Sequence, residues 1–212
     1  MKLSFVIPVF NEQDSLNQLY SEIIENVKEY EYEIIFIDDG STDDSYTILQ
    51  ILASESKNVK LIKLRKNFGK SAGLSVGFDV AEGDIIFTMD ADLQDDPKEI
   101  EHFIKKLDEG YDMVTGWKIK RRDPISKTWP SKLYNKVTSD TFNLKLHDYN
   151  CGYKAYKKEV INELDIYGEM HRYIPALANS LGFKVAEIPV HHRKREFGKT
   201  KYGSERYLRG FL

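Results

Sequence analysis

The chain has 212 residues, 41% of them apolar and 31% charged, with a formal net charge of −3. That size suits one domain with a real core, and the lack of any apolar run of about 18 residues excludes a membrane-spanning helix. A single cysteine, Cys151, excludes an internal disulfide framework and suits a reducing compartment, and Met1–Phe5 runs straight into a strand-like segment without the layout of a secretory signal.

Apolar runs alternate with segments of helical period. Leu3–Pro8 reads as a buried strand, and residues 14–29 place Leu16, Leu19, Tyr20, Ile23, Ile24 and Val27 at helical spacing. Glu33–Asp38 is a second strand, 43–55 a second helix, Val59–Leu64 a third strand and 69–81 a helix of small residues. Asp84–Met89 is a fourth strand, 97–108 a helix opening at Pro97, a favoured first-turn position, and Tyr111–Thr115 a fifth strand. This rhythm predicts a parallel sheet with right-handed crossovers, whose ligands bind beyond the carboxyl ends of the strands. After residue 116 the rhythm breaks. Residues 117–146 are basic and aromatic, with Trp117, Trp129, Tyr134 and Phe142, and part of this stretch suits an amphipathic helix. A short glycine-containing segment (150–156), a helix (about 171–181) and a last strand (183–190) follow. There is no repeat and no clean linker, so 1–212 reads as one domain.

Charge is distributed unevenly. Residues 1–106 hold 11 Lys/Arg against 21 Asp/Glu, whereas the tail from 191 to 212 holds seven Lys/Arg against two Glu. A basic end on an acidic protein fits either a solvated face or an anionic partner.

The residues just past the strands carry the chemistry. The first strand ends in Pro8-Val9-Phe10-Asn11-Glu12, the second in Asp38-Asp39-Gly40-Ser41-Thr42-Asp43, the fourth in Asp90-Ala91-Asp92-Leu93-Gln94. Four carboxylates thus gather on one sheet edge, with Glu12 a candidate fifth. Taken singly, Asp38–Ser41 reads as a turn and Asp43 as a helix cap. Clustered carboxylates repel, and a hard divalent cation, Mg²⁺ or Mn²⁺, supplies a reason to be together. The expected division puts Asp39 on a nucleoside, and Asp90 and Asp92 on metal and diphosphate. Asp90–Glu101 mimics a calcium loop but has Asp95 where that loop needs glycine. Lys66–Ser71 resembles the end of a P-loop but has Leu64 where the first glycine belongs, and no G-x-G-x-x-G occurs, which weighs against an NTPase and a dehydrogenase.

Together these landmarks resemble glycosyltransferase family 2, whose GT-A fold is a mostly parallel Rossmann-like sheet flanked by helices. A closer resemblance, to the polyprenyl-phosphate sugar transferases (dolichol-phosphate mannose synthase and bactoprenol glucosyltransferases), rests on Arg65–Lys70, Asp92-Leu93-Gln94-Asp95, Cys151-Gly152-Tyr153-Lys154, Met170–Pro175 and Phe197–Gly203. The resemblance implies that Pro8, Glu12 and Asp39, with Lys70 and Asp90, hold the nucleotide, and that Asp90, Asp92 and Gln94 surround the metal. It sets Asp148 near the reacting sugar, with Asp92 and Asp148 as the catalytic carboxylates, and matches Arg195, Lys199 and Lys201 to a basic loop that closes over phosphates. Residues 1–116 are then a nucleotide-sugar half, 117–190 an acceptor side, and 191–212 a basic loop with an amphipathic tail (Tyr207, Leu208, Phe211, Leu212). The Gln-x-x-Arg-Trp motif of processive synthases is absent, which favours single-sugar transfer.

The implied reaction is inverting displacement at the anomeric carbon, with a nucleoside diphosphate leaving and a polyprenyl phosphate accepting at the cytoplasmic face of the membrane. Lys118, Arg121 and Arg122 are the candidates for the acceptor phosphate, and Trp129 for the lipid interface, with Trp117 and Cys151 as packing residues. The competing enzyme reading is a soluble transferase acting on a hydroxyl of a glycan, protein or teichoic-acid-like polymer. A nucleotidyltransferase would carry a glycine-rich basic loop where Asn11-Glu12-Gln13-Asp14 stands. A nucleic-acid binder is disfavoured by the acidic front half.

Overall fold

A computed structural model describes residues 1–118, 138–139, 141–195 and 197. One seven-stranded sheet is built from β1 (Lys2–Val9), β2 (Glu31–Asp38), β3 (Val59–Lys63), β4 (Ile85–Thr88), β5 (Met113–Lys118), β6 (Lys154–Lys157) and β7 (Val185–Val190), in the spatial order β3-β2-β1-β4-β6-β5-β7. The helices that lie wholly among the described residues are α1 (Leu16–Asn26), α2 (Ser45–Glu55), α3 (Lys70–Val80), α4 (Ile100–Asp108), α5 (Lys158–Glu163) and α6 (Ile174–Ser180), with 3₁₀ turns at Pro97–Glu99 and Met170–Arg172 and further helical residues at 138–139 and 141–142.

Strand alternation sends side chains to two cores. Phe5, Ile7 and Val9 of β1 pack with Leu16 and Leu19 of α1, Leu49 of α2 and Phe103 of α4 on one face. Val6, Ile35 and Ile37 pack with Leu74 and Phe78 of α3 and Val160 of α5 on the other. The small residues of α3 have a steric reason: a Cβ on Gly77 would lie 2.3 Å from Val6 Cγ1, so the helix sits on the sheet at a distance only glycine permits. Pro97 opens the turn before α4, and Asp96 Oδ1 caps it by accepting the Lys98 N–H at 3.1 Å.

The parallel rhythm holds for β1–β4 and for β5 beside β7. It is interrupted where the sequence showed only a glycine-containing segment: β6 lies antiparallel between β4 and β5, pairing Ile86 with Tyr156 and Val114 with Ala155. Short α5, directly after β6, is likewise absent from the sequence reading. The helix expected at 171–181 divides into the turn at Met170–Arg172 and α6, with Pro175 in the first turn of the latter. Strand order reverses at β1, with β2 on one side and β4 on the other, so the crevice lies beyond the carboxyl ends of β1 and β4.

Candidate active site

The loops beyond these strand ends are held in left-handed backbone at Asn11, Gly40, Gly69 and Leu93, with φ of 54°, 72°, 91° and 61°. Gly40 is obligatory, since a Cβ there would fall 2.6 Å from the Lys66 carbonyl carbon. Leu93 is a buried non-glycine residue in this region, a conformation that the Asp92–Gln94 turn over-determines: Asp92 Oδ1 accepts the Gln94 N–H at 3.1 Å.

On the nucleotide side, Asp39 is buried and accepts the main-chain N–H groups of Phe68 (2.7 Å) and Gly69 (2.9 Å), which fixes the entry to α3. Burial raises its pKa despite those two bonds. Asp38 Oδ1 accepts from Ser41 N at 3.2 Å, while its buried Oδ2 has no hydrogen-bond partner among the described residues. Glu12 receives Arg195 at 3.5 Å, and its own N–H donates to Ser45 Oγ at 2.8 Å. Pro8 lies beneath α3, 3.2 Å from where a Gly73 Cβ would stand.

At the end of β4 the carboxylates crowd. Asp90 pairs with Lys70, and its N–H donates to Asp95 Oδ2 at 3.1 Å. Burial opposes its charge, but Lys70, Lys118 and Lys154 hold its pKa well below the usual carboxylate range. Asp92 behaves in the opposite way: burial first, then Asp90 and Asp95, push it up to about 6 against the pull of Arg195. Asp95 is also raised by burial and by Asp90. Two adjacent acids on one turn thus have pKa values driven apart, a signature of functional sites.

The cations around them come from scattered elements. Lys118, at the end of β5, loses to burial but gains more from Cys151, Asp95, Asp90 and Asp148, so its charge is firmly held. It acts here as an internal counter-ion of the acidic cluster. Lys154 of β6 is buried, donates to the Cys151 carbonyl, and is pushed down to about 8 chiefly by desolvation. Arg195 Nη2 meets Asp92 Oδ2 at 2.5 Å. Its segment is fastened to the site by Arg193: its N–H donates to Gln94 O (2.9 Å), its O accepts from Gln94 Nε2 (3.2 Å), and its guanidinium reaches Glu22 (2.7 Å).

Sequence reasoning placed Asp90, Asp92, Gln94, Asp148, Glu12, Asp39, Lys70 and Arg195 at this edge, and the structure brings them to one end of the sheet. Gln94 gives its side-chain amide to Arg193. Asp148 is buried and shares the counter-ions Lys118 and Lys154 with Asp90. Arg121, Arg122, Lys199, Lys201 and Trp129 lie outside the described residues. Trp117, expected in the core, is half-buried and stacks on His147, while Cys151 is packed as expected, its thiol pushed up to about 11 by burial. Two participants were not singled out individually. His171 Nδ1 lies 3.0 Å from Ser71 Oγ at the start of α3, and burial with nearby Lys70 pushes its pKa down to about 2, so the ring is neutral. Lys154 sits within a motif but gave no sign of being buried. Among the described residues no group of three or more His, Cys, Asp and Glu side chains surrounds a metal position, and no helix is long and apolar enough to cross a membrane.

Comparison with known proteins gives the family and the fold. Residues 4–165 match the family model for Glycosyl transferase family 2. The undecaprenyl-phosphate 4-deoxy-4-formamido-L-arabinose transferase of Pseudomonas fluorescens is 38% identical over 209 residues, 97% of this chain and 61% of that protein. The protein of that name from Klebsiella pneumoniae is 40% identical over 210 residues, 98% of this chain and 64% of its own length. The chain therefore spans less than two thirds of these curated relatives. Among solved structures, glucosyl-3-phosphoglycerate synthase of Mycobacterium tuberculosis superposes with a TM-score of 0.72 at 22% identity, over 92% of this chain and 73% of that one. Its complex with Mn²⁺, uridine diphosphate and phosphoglyceric acid gives 0.69 at 21% identity, over 92% and 71%. With residues 4–165 matched to the family model and the fold shared with a solved structure at a TM-score of 0.72, the chain belongs to glycosyl transferase family 2.

Proposed function

We propose that this chain transfers one sugar from a nucleoside-diphosphate donor to a polyprenyl phosphate, with a divalent cation, Mg²⁺ or Mn²⁺, held by Asp90 and Asp92 beside Gln94. The observation that carries the reading is the crowding of Asp90, Asp92 and Asp95 at the end of β4, where Asp92 is pushed up to about 6 by burial and by its acidic neighbours. An all-oxygen set of two carboxylates fits a hard cation that takes its remaining ligands from substrate phosphates and water. Such a cation supplies charge neutralisation for the leaving diphosphate. The relatives act, by name, on undecaprenyl phosphate, which supports the acceptor class. The uridine diphosphate and Mn²⁺ bound by the mycobacterial synthase support the donor class and the metal.

In this reading residues 1–116 bind the donor, with Pro8, Glu12 and Asp39 around the nucleoside and Lys70 and Asp90 near the diphosphate. The bond from the anomeric carbon to the diphosphate oxygen breaks as an acceptor phosphate oxygen bonds to that carbon from the opposite side. The electron pair leaves with the nucleoside diphosphate, and Lys70 and Arg195 stabilise the developing charge. Lys199 and Lys201 extend that basic loop. A phosphate monoester, with a second pKa of about 6, is already ionised and needs no strong base, so Asp148 serves to orient the sugar. Lys118, Arg121 and Arg122, on the 117–190 side, supply positive charge toward the acceptor phosphate, which the chain meets at the cytoplasmic membrane surface.

The test is transfer of radiolabelled sugar from UDP-, GDP- and UDP-4-deoxy-4-formamido-L-arabinose donors to undecaprenyl phosphate in detergent, with Mn²⁺ or EDTA. Lipid-linked sugar formed with one donor and lost with EDTA is expected. Transfer that proceeds equally onto a hydroxyl acceptor without any polyprenyl phosphate would overturn the acceptor assignment.

A further inference from the structure

Glu187 of β7 carries a carboxylate that the acidic edge does not use. Its Oε2 accepts the main-chain N–H of His147 at 2.8 Å, and its Oε1 lies 2.5 Å from His147 Nδ1. The imidazole in turn stacks on Trp117, with ring centroids 4.0 Å apart and planes 15° from parallel. Trp117 and Glu187 come from neighbouring parallel strands, β5 and β7, in which Thr115 is paired with Glu187 and Trp117 with Pro189. Two strands of the sheet thereby grip one residue of the segment leading into β6.

The next residue is Asp148. It is 1% exposed, and its Oδ1 accepts the Asn150 N–H at 3.1 Å, closing a tight turn. Leu146 and Tyr149, on either side of the 147–148 pair, pack with Ala176 in a small separate cluster. Apolar packing of this kind sets depth but is non-directional. The Glu187–His147 bonds are directional, and one goes to the main chain, so they set the rotation of the turn that presents Asp148. A half-exposed His–Glu pair would ordinarily contribute little. The strong hold here comes from one carboxylate taking both ring and backbone while the ring is stacked.

We infer that Glu187, acting through His147, is a positioning residue that sets the Asp148 carboxylate against the donor sugar. This rests on the assignment of Asp148 to the sugar under Proposed function. Orientation of a catalytic group matters steeply, with a misplacement of about 1 Å costing on the order of 100-fold in rate.

The test compares Glu187→Ala and Glu187→Gln in the wild-type and Asp148→Asn backgrounds, reading kcat, donor KM and amide exchange across 147–150. Glu187→Ala is expected to accelerate that exchange and to lower kcat by roughly 10- to 100-fold with donor KM unchanged. Glu187→Gln, which still accepts the main-chain N–H, recovers most of both. In the Asp148→Asn background the same alanine change costs less than about threefold, because residues acting as a unit are not additive. An equal cost in both backgrounds, a kcat within about twofold of wild type, or unchanged exchange overturns the inference. Full activity of Asp148→Asn alone instead removes the assignment of Asp148, while exchange still judges the anchor. Should Glu187→Ala fail to fold, Glu187→Gln combined with His147→Ala removes the ring contact, keeps a main-chain acceptor, and is held to the same outcomes.

Discussion

At the amino-terminal end of the sheet Glu33 is buried, and at the carboxyl end Asp92 is buried almost as deeply, yet their surroundings are built to opposite ends. Glu33 accepts from Ser4 Oγ at 2.6 Å and from Glu82 N at 2.7 Å, and pairs with Lys60 at 2.8 Å and Lys2 at 3.7 Å. Burial penalises its charge, but Lys60, Ser4 and the Glu82 amide overcome that, and its pKa is lowered. Asp92 has Arg195 and one backbone amide, set against burial and two neighbouring acids, and its pKa is raised. The first cluster is closed: it ties β1, β2 and β3 to the loop before β4 and is complete within the protein. The second crowds Asp92 against Asp90 and Asp95 and leaves its pKa raised beside Arg195, as suits a turn that receives a cation with its phosphates.

The sharpest way to break this contrast is Asp92→Asn. It should lower transfer by about 10³-fold, as expected when a group stabilising the leaving charge is lost. The same change should leave the metal-free protein more stable by about 1 kcal/mol at pH 7, because it removes a charge that is costly to bury among other acids. Thermal unfolding beside a transfer assay checks both. A variant that loses activity and stability together would place Asp92 with the structural carboxylates.

Glu33→Ala should do the reverse. Losing the carboxylate leaves the Ser4 hydroxyl and the Glu82 N–H without their acceptor, while Lys60 keeps Glu82, and about 1–3 kcal/mol of stability goes with it. Nucleotide affinity of the folded fraction should stay within about twofold, since distant sites with no shared partners act independently. Urea unfolding and a binding titration measure these separately.

A smaller effect comes from pH. Because the folded pKa of Asp92, about 6, lies above its ordinary 3.8, its contribution to stability is full below 3.8 and is lost as pH rises through 6. The metal-free wild type should therefore lose stability over that interval relative to Asp92→Asn, and the two should converge near pH 4. Metal-dependent nucleotide binding has the opposite slope, weakening by up to about tenfold per pH unit below 6 as a proton competes for the carboxylate.

Much of this was legible in the sequence, for local reasons. β1 to β4 and their helices announce themselves because apolar period and turn residues are encoded within each short segment, and Asp39, Asp90 and Asp92 stand where the chain leaves a parallel strand. β6 was not legible. It has four residues, begins at the buried Lys154 and ends in another lysine, and is a strand only because β4 and β5 flank it. The polar links of the second half are long-range: Glu187 to His147 across 40 residues, His171 to Ser71 across 100, Arg193 to Glu22 across 171. No periodicity records such pairs, and for the same reason Asp90, Asp95 and Asp148 were not legible as the acidic neighbours of Lys118.

The most direct test of the central claim, that the end of β4 is a cation-dependent nucleotide site, is a calorimetric titration with UDP, GDP, CDP and dTDP in Mn²⁺ and in EDTA. One nucleotide should bind in Mn²⁺, lose its affinity in EDTA, and lose it again in Asp92→Asn while Glu33→Ala binds normally. A folded protein that binds none of the four in Mn²⁺, or binds one equally well in EDTA, would contradict the account.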